Sequence, residues 1–550
     1  MACWKLSDNE NMDPGRVFDL LDEIPSDNES LVEDLDEVMN DELPTPDASN
    51  NGEVFDIENM DIIIEDNDMI SNNDLHWDSD DDIPLARRPD IFLPDYWSDD
   101  VSNIMKPSAF AEATGPDLPD DIETTTNVFL HLFPEDLITH ITFQTNLYAF
   151  QRHGEGRNFK PTTAKEIKIF LGVNLLMGLK KPPSFKDYWS SQEEMRDPFI
   201  SSVISRDRFA WLLSNIHLND NAVQPQKGEQ NYDKLYKVRP LLSKLQETFM
   251  SSMKPSEFQS VDESMIRFKG RSSFRQYMPM KPIKRGYKVW VRADSTGYMC
   301  EFQIYTGKAD QVTEKNLGHR VVMDLTRKLV DKNHKVFFDN YFNSVQLQRK
   351  LQSDKIHSCG TIRKGRKHFP ELKTDKAMKR GEADWRVSND GIAALKWMDR
   401  RSVLLLGNYH DPSIMETTSR KKKNGCAEEI PCPRMIRDYN THMGYVDRFD
   451  MMKSHYEVDR KAHKWWHRII FYFLDATIVN AFILFQQRCD CKTLTLKQFR
   501  MSVLRGLIGI VEPAKSGRPS LERPPSNFKK VVPYENDLEM YDLSSGAMPK

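Results

Sequence analysis

The chain has 550 residues and a formal net charge of -7, with 39% hydrophobic and 29% charged residues, enough for several domains and a sizeable core. Residues 1–120 hold 34 Asp and Glu against 5 Lys and Arg, whereas the remainder holds 49 against 71, so an acidic tail precedes a basic body suited to phosphate. Seven scattered cysteines, without a C-x-x-C pair or a Cys/His quartet, argue against a disulfide framework or a structural zinc site, and intracellular reduced thiols fit best.

Residues 1–122 are rich in Asp, Glu, Asn, Ser and Pro, with isolated apolar clusters such as I-I-I at 62–64. They read as a disordered acidic tail, because so little apolar surface cannot offset ordering entropy, and such a tail suits a protein partner. The opening M-A-C-W-K-L-S-D-N-E lacks the apolar core of a signal peptide. Residues 123–256 read as helical. The stretches 134–150, 163–179, 205–218 and 236–250 space apolar residues by three and four, with Pro134 or Pro240 in a first turn and Thr163 or Ser205 as a capping hydroxyl.

At 257 the period changes to two. F-Q-S-V-D-E-S-M-I-R-F (258–268) reads as a strand, and 286–293 and 298–305 as a hairpin about D-S-T-G. A helix with Leu317, Val321, Val322, Leu325 and Leu329 on one side comes next, then a buried strand K-V-F-F-D-N-Y-F (335–342) and a helix at 344–351. This order over 257–365 is a mixed α/β sheet and matches that of a ribonuclease-H-like core. Residues 366–433 read as a β-rich insertion, with a small antiparallel sheet from 385–387, 392–398 and 402–409. Residues 434–456 return to the core with an acidic helix. Residues 457–511 resume the helical part, where the most apolar run, 469–485, is short for a bilayer span, carries Asp475 and Asn480, and reads as a buried helix. Residues 512–550 read as an extended tail. No membrane partner is expected.

Asp262 falls inside the first strand, Asp339 ends the fourth, and Asp447 and Asp450 open a helix three residues apart, on one face. Buried carboxylates are costly unless they are paired or hold a cation. In a ribonuclease-H-like core these positions converge on one edge, where hard oxygen donors suit Mg²⁺ or Mn²⁺. Two such ions about 3.5–4 Å apart clamp a phosphodiester. Alone, Asp339 also fits a turn with Asn340, and Asp447 with Asp450 an ordinary acidic helix start.

The stretches V-D-E-S-M-I-R-F-K-G-R (261–271), M-K-P-I-K-R-G-Y-K (280–288), F-D-N-Y-F-N-S (338–344) and Y-N-T-H-M-G-Y-V-D-R-F-D (439–450) together resemble the piggyBac transposase family, over roughly 125–519. The resemblance implies a nuclear cut-and-paste DNA transposase with a ribonuclease-H-like catalytic core. It puts the family's acidic triad and metal ligands on Asp262, Asp339 and Asp447, with Asp450 as the neighbouring carboxylate. It implies double-stranded DNA as partner (transposon ends and a TTAA target) and a homodimer built through 125–255 with 455–510. Two departures stand out. Tyr445 occupies the place of the family's second glycine, a handicap if that position needs positive φ or close approach to DNA. The family's C-terminal cysteine-rich zinc domain has no counterpart, since the last cysteine is Cys491, so no zinc is expected.

Arg267, Lys269, Arg271, Arg275, Lys281, Lys284, Arg285, Lys288 and Arg292 lie between the first two aspartates, dense enough to neutralise several phosphates. A solvated sheet face is the plainer reading of the same run. D-R-K-A-H-K-W-W-H-R (459–468) adds Arg460, Lys461, Lys464 and Trp465 as DNA contacts. The resemblance aligns Trp465 with a family tryptophan that handles a base at the hairpinned end, and an indole suits such stacking. S-R-K-K-K-N (419–424) fits a nuclear-import signal, a phosphate contact or a plain loop. The competing readings are a catalytically silent, sequence-specific DNA-binding protein derived from a transposase, and a general two-metal nuclease.

Overall fold

A ten-stranded mixed sheet with helices on both sides carries the acidic residues. This computed structural model describes residues 96–509 apart from 154–159, 280, 308–313, 315, 423–424, 461, 463 and 490–493. The expectations for 1–95 and for the 512–550 tail lie outside the described residues.

Short strands β1 (Trp97–Ser98) and β2 (Gly115–Pro116) precede six helices: α1 (Thr125–Leu132), α2 (Glu135–His153), α3 (Ala164–Leu179), α4 (Pro198–Val203), α5 (Arg206–Asn215) and α6 (Arg239–Ser251). The hydroxyls of Thr124, Thr163 and Ser205 accept backbone N–H groups and close the first turns of α1, α3 and α5. Next come β3 (Met253–Lys254), β4 (Phe258–Arg267), β5 (Gln276–Tyr277), β6 (Arg285–Asp294), β7 (Met299–Ile304), α7 (Leu317–Thr326), β8 (Lys335–Phe338), α8 (Val345–Ser353) and β9 (His357–Thr361). They are followed by β10 (Ala383–Ser388), β11 (Ala393–Met398), β12 (Ser402–Gly407), β13 (Met415–Lys421), β14 (Ala427–Pro433), α9 (Arg434–Met443), α10 (Tyr445–His455), α11 (Trp465–Cys489) and α12 (Leu496–Ile508).

The order across the sheet is β1-β10-β11-β12-β9-β8-β4-β6-β5, with β7 also on β6. β8 runs parallel to both β4 and β9. Strand alternation sorts the faces. Val261 and Phe338 point into a core shared with α7 and α8, while Phe337 and the partly buried Phe258 meet a second core with α9 and β14. Gly286 is required where β6 crosses β4, because a Cβ there would stand 1.9 Å from the Ile266 carbonyl oxygen.

Helix α11 is long and apolar enough to cross a membrane by length and composition, yet 89% of its most apolar window is buried. A helix apolar all round belongs in the middle of a core. Two of its buried polar residues are held by specific partners. Asn480 bonds both the N–H and the carbonyl of Met299 at 2.9 Å. Asp475 accepts from Val458 N and pairs with the buried Arg500 of α12.

Three expectations change. The strand expected over 335–342 ends at Phe338, because Asp339 Oδ1 accepts the Tyr341 N–H at 2.9 Å and turns the chain. The three strands expected as a small sheet of their own, β10 to β12, instead join the main one, β12 pairing with β9 with Leu405 opposite Thr361, while β13 and β14 form a separate two-stranded sheet. Residues 96–122, expected inside a disordered tail, form an ordered strap. Trp97 and Ser98 pair with Ser388 and Val387 on the edge of β10, Phe110 lies 4.8 Å from the His334 ring, and Arg488 grips the carbonyls of Pro119, Asp120 and Ile122. A few aromatic anchors and main-chain bonds order a segment whose composition alone is that of a coil.

Candidate active site

The sheet register brings the first two aspartates together. Val261 lies opposite Phe338 in the parallel β4–β8 pair, so one further step sets Asp339 abreast of Asp262, with strands about 4.8 Å apart. The same alternation puts both on the face covered by α9 and α10, helices that pack against β4. Asp450 reaches this face directly, since its Oδ1 accepts from Ser264 Oγ at 2.6 Å. Ser264 stands two residues beyond Asp262, on the same side of β4, and accepts from Tyr472 Oη at 2.8 Å. Asp447 lies exposed one turn earlier on α10.

Charge ties these groups. The Asp262 carboxyl is raised to about 8, by burial first and by Asp339 and Asp447, against the pull of the Lys281 ammonium. Burial, then Glu263, raises Asp339, against Lys281 and Lys288. Burial also raises Asp450, opposed chiefly by Lys453. Burial works against a charged Lys281, but Asp262, Glu263, Asp447 and Asp339 outweigh it and raise its pKa. The donor set is thus chemically that of a Mg²⁺ or Mn²⁺ site, with hard oxygens repelling one another in a desolvated place. As the side chains stand, no three His, Cys, Asp or Glu among the described residues converge on one ion. The residues fit such an ion by kind and neighbourhood, with closure of the carboxylates still required.

Tyr445 meets no backbone obstacle. It is the first residue of α10, it is buried, and the preceding Gly444 has a φ of -77°, outside the left-handed region. Its hydroxyl shares a hydrogen bond with His442 Nδ1.

The basic residues divide. Lys269, Arg271, Lys284 and Arg285 are exposed, Arg285 lying over the Tyr277 ring. Arg275 is exposed but donates to the carbonyls of Lys269 and Gly270, and Arg267 pairs with Asp459. Lys288 does not face solvent: it is buried, bonded to Glu263 and set over the Tyr341 ring. Arg292 is likewise buried on Glu301. Arg460 turns its guanidinium into the rings of Phe185, Phe209 and Phe471 rather than outward. Lys464 donates to the Ser214 carbonyl at 2.7 Å. Trp465 is partly buried and meets Phe274 in a T-shaped contact at 5.3 Å. Lys461 lies outside the described residues. The 419–421 part of the basic run is β-strand, not loop, and 423–424 lie outside the described residues.

Two further features went unread in the sequence. Arg363 donates to Asn340 Oδ1, and Arg366 to the carbonyls of Asn340 and Tyr341, clamping the turn just after Asp339. Their signal was the run R-K-G-R-K-H at 363–368. Ser264, by contrast, carried no signal beyond its place two residues from Asp262.

Comparison with known proteins gives the family and agrees with the fold. The family described as Transposase IS4 matches residues 124–482. Human PiggyBac transposable element-derived protein 3 is 30% identical over 432 residues, covering 75% of this chain and 71% of the relative. Human PiggyBac transposable element-derived protein 2 is 29% identical over 385 residues, covering 68% and 63%. A cryo-EM structure of the piggyBac transposase synaptic complex with hairpin DNA superposes with a TM-score of 0.63 at 24% identity, over 72% of this chain and 83% of that one.

Proposed function

On the premise that the chain belongs to the piggyBac transposable element-derived protein family, with an IS4-type DDE transposase domain, we propose that it cleaves and joins DNA at TTAA sites. The observation that carries this reading is the register that sets Asp262 and Asp339 abreast beneath the helix bearing Asp447 and Asp450. The proposal includes a ribonuclease-H-like core, a homodimer acting in the nucleus, and double-stranded DNA as substrate. The DNA bound by the solved relative supports that choice of partner.

Asp262, Asp339 and Asp447 would hold Mg²⁺ or Mn²⁺, assisted by Asp450. When bound, the ion supplies charge neutralisation at a phosphodiester and a more acidic attacking hydroxyl. The protein's own part is electrostatic and positional. Asp262, Asp339 and Asp450 stand desolvated beside the exposed Asp447, Ser264 fixes Asp450, and the exposed Arg271 and Lys284 between β4 and β6, with Arg285 at the start of β6, are placed to meet phosphates. Water would nick one strand, and the freed 3′-hydroxyl would attack the other to leave a hairpin end.

A second reading has its own support: Lys281 already stands among the carboxylates, and no three of them converge. That arrangement suits a catalytically silent DNA-binding derivative. Supercoiled DNA carrying TTAA-flanked ends, incubated with the protein and Mg²⁺ or Mn²⁺, separates the two. Nicking that disappears in Asp339→Ala supports the enzyme; binding with no cleavage under either ion overturns it.

A further inference from the structure

Helices α9 and α10 are separated by one residue, Gly444, with φ -77° and ψ 16°. Nothing lies within 4 Å of where its Cβ would stand, and α10 begins without a side-chain cap. No contact at Gly444 itself sets the angle at which α10 departs. That angle bears on where Asp447 and Asp450 stand over β4, about half a turn and about one and a half turns into the helix.

The His442–Tyr445 hydrogen bond spans this joint. The His442 ring is itself held by the strands below. It stacks on Phe258 of β4 at 4.0 Å and 5° and lies 5.1 Å from Phe337 of β8. Those two strands carry Asp262 and lead into Asp339. Tyr445 is buried, and Val446 and Phe449 behind it are fully so, which leaves α10 no other polar tie at its first residue among the described bonds.

We propose that His442 and Tyr445 form a positioning brace, tying the start of α10 to Phe258 and Phe337 and thereby holding Asp447 and Asp450 in register with Asp262 and Asp339. The inference rests on the carboxylate-site reading and extends it to residues that touch neither metal nor DNA. Burial pushes the His442 imidazole down to about 4, so it stays neutral at ordinary pH. A tyrosine at the family's glycine position is on this account a support built into this chain.

The test uses the full chain and three readouts: Mn²⁺ affinity from the spin-resonance signal of the free ion, hydrogen exchange of amides 446–450 without metal, and thermal unfolding. Tyr445→Phe keeps the ring and removes the hydroxyl; it is expected to weaken Mn²⁺ binding about tenfold and to speed exchange at 446–450, with little change in the unfolding midpoint. His442→Ala should do the same. His442→Asn, whose amide stands near the place of Nδ1, should recover part of the affinity, and Tyr445→Phe with His442→Ala together should cost no more than either alone. Wild-type affinity and exchange in Tyr445→Phe would overturn the brace. If Asp447→Asn leaves Mn²⁺ binding untouched, the carboxylate-site reading falls instead. The brace is then decided by exchange alone, faster exchange supporting it and unchanged exchange refuting it.

Discussion

Ser264 Oγ donates a 2.6 Å hydrogen bond to Asp450 Oδ1, joining strand β4 to helix α10 across 186 residues of chain. Tyr472 Oη donates to the same serine at 2.8 Å, so one hydroxyl orders a carboxylate and a buried phenol together. Ser264→Ala leaves both without that partner. The expected loss is about 1–3 kcal/mol in urea unfolding, and an unchanged midpoint would show that the two groups find other partners.

Lys281 is the cation the carboxylates already have. Lys281→Gln removes it, leaving Asp262, Asp339 and Asp447 to repel one another. The metal-free variant should melt a few degrees lower, and Mn²⁺ should raise its midpoint more than it raises the wild type's. Equal Mn²⁺ shifts in a thermal scan would place the lysine outside the site's electrostatics.

The basic residues should behave as two classes. Lys288 is spent on Glu263 inside the protein, so Lys288→Ala should lower stability by about 3 kcal/mol through the orphaned carboxylate. Arg271→Ala and Lys284→Ala should leave the fold alone and reduce the salt slope of DNA binding by about one each. Fluorescence anisotropy across a salt series, beside urea unfolding, reads both. A wild-type salt slope in both surface variants would remove these residues from the DNA face.

The strap covers the β10 edge and sets Trp97 against the core of Ile392, Ala394 and Leu406. Trp97→Ala should cost about 2–3 kcal/mol. A chain beginning at 124 keeps the whole family-matched region yet bares a sheet edge, so it should associate more readily. Light scattering at matched concentration tests this; a monodisperse truncation as stable as the full chain would make the strap dispensable.

His334 and His357 sit at the starts of β8 and β9, where His357 N donates to the His334 carbonyl. Burial pushes both imidazoles down to about 4, with Lys335 opposing charge on His357 as well. Because the folded values lie below the unfolded one near 6.5, their contribution is fully present above about pH 6.5 and is lost as pH falls toward about 4. His357→Gln should flatten the fall in unfolding midpoint over that window by a few degrees, and a fall of wild-type steepness would assign it to other groups.

The sheet's central strands, the capped helices and the four aspartates were legible because they are local. Alternation, capping hydroxyls and short motifs act over a few residues, and F-Q-S-V-D-E-S-M and Y-V-D-R-F-D carry theirs openly. Less legible were Lys288, Arg460 and Trp465, basic or aromatic by type yet turned inward by partners such as Glu263, Phe209 and Phe274. The strap was hidden for the opposite reason: its composition is that of a coil, and its order comes from the edge of β10 and from Arg488.

The sequence by itself determined the pattern of carboxylates, since one inside a strand, one at a strand end and two at a helix start, in one order and spacing, need no coordinates to be noticed. The tertiary structure decided which of these groups meet. Asp339 stands by Asp262 through a parallel register, Asp450 is fixed by Ser264, and Tyr445 is a buried helical residue rather than a strained one. The reason is physical: a charge's partner, and therefore its role, lies across space, at separations of chain that periodicity and propensity do not reach.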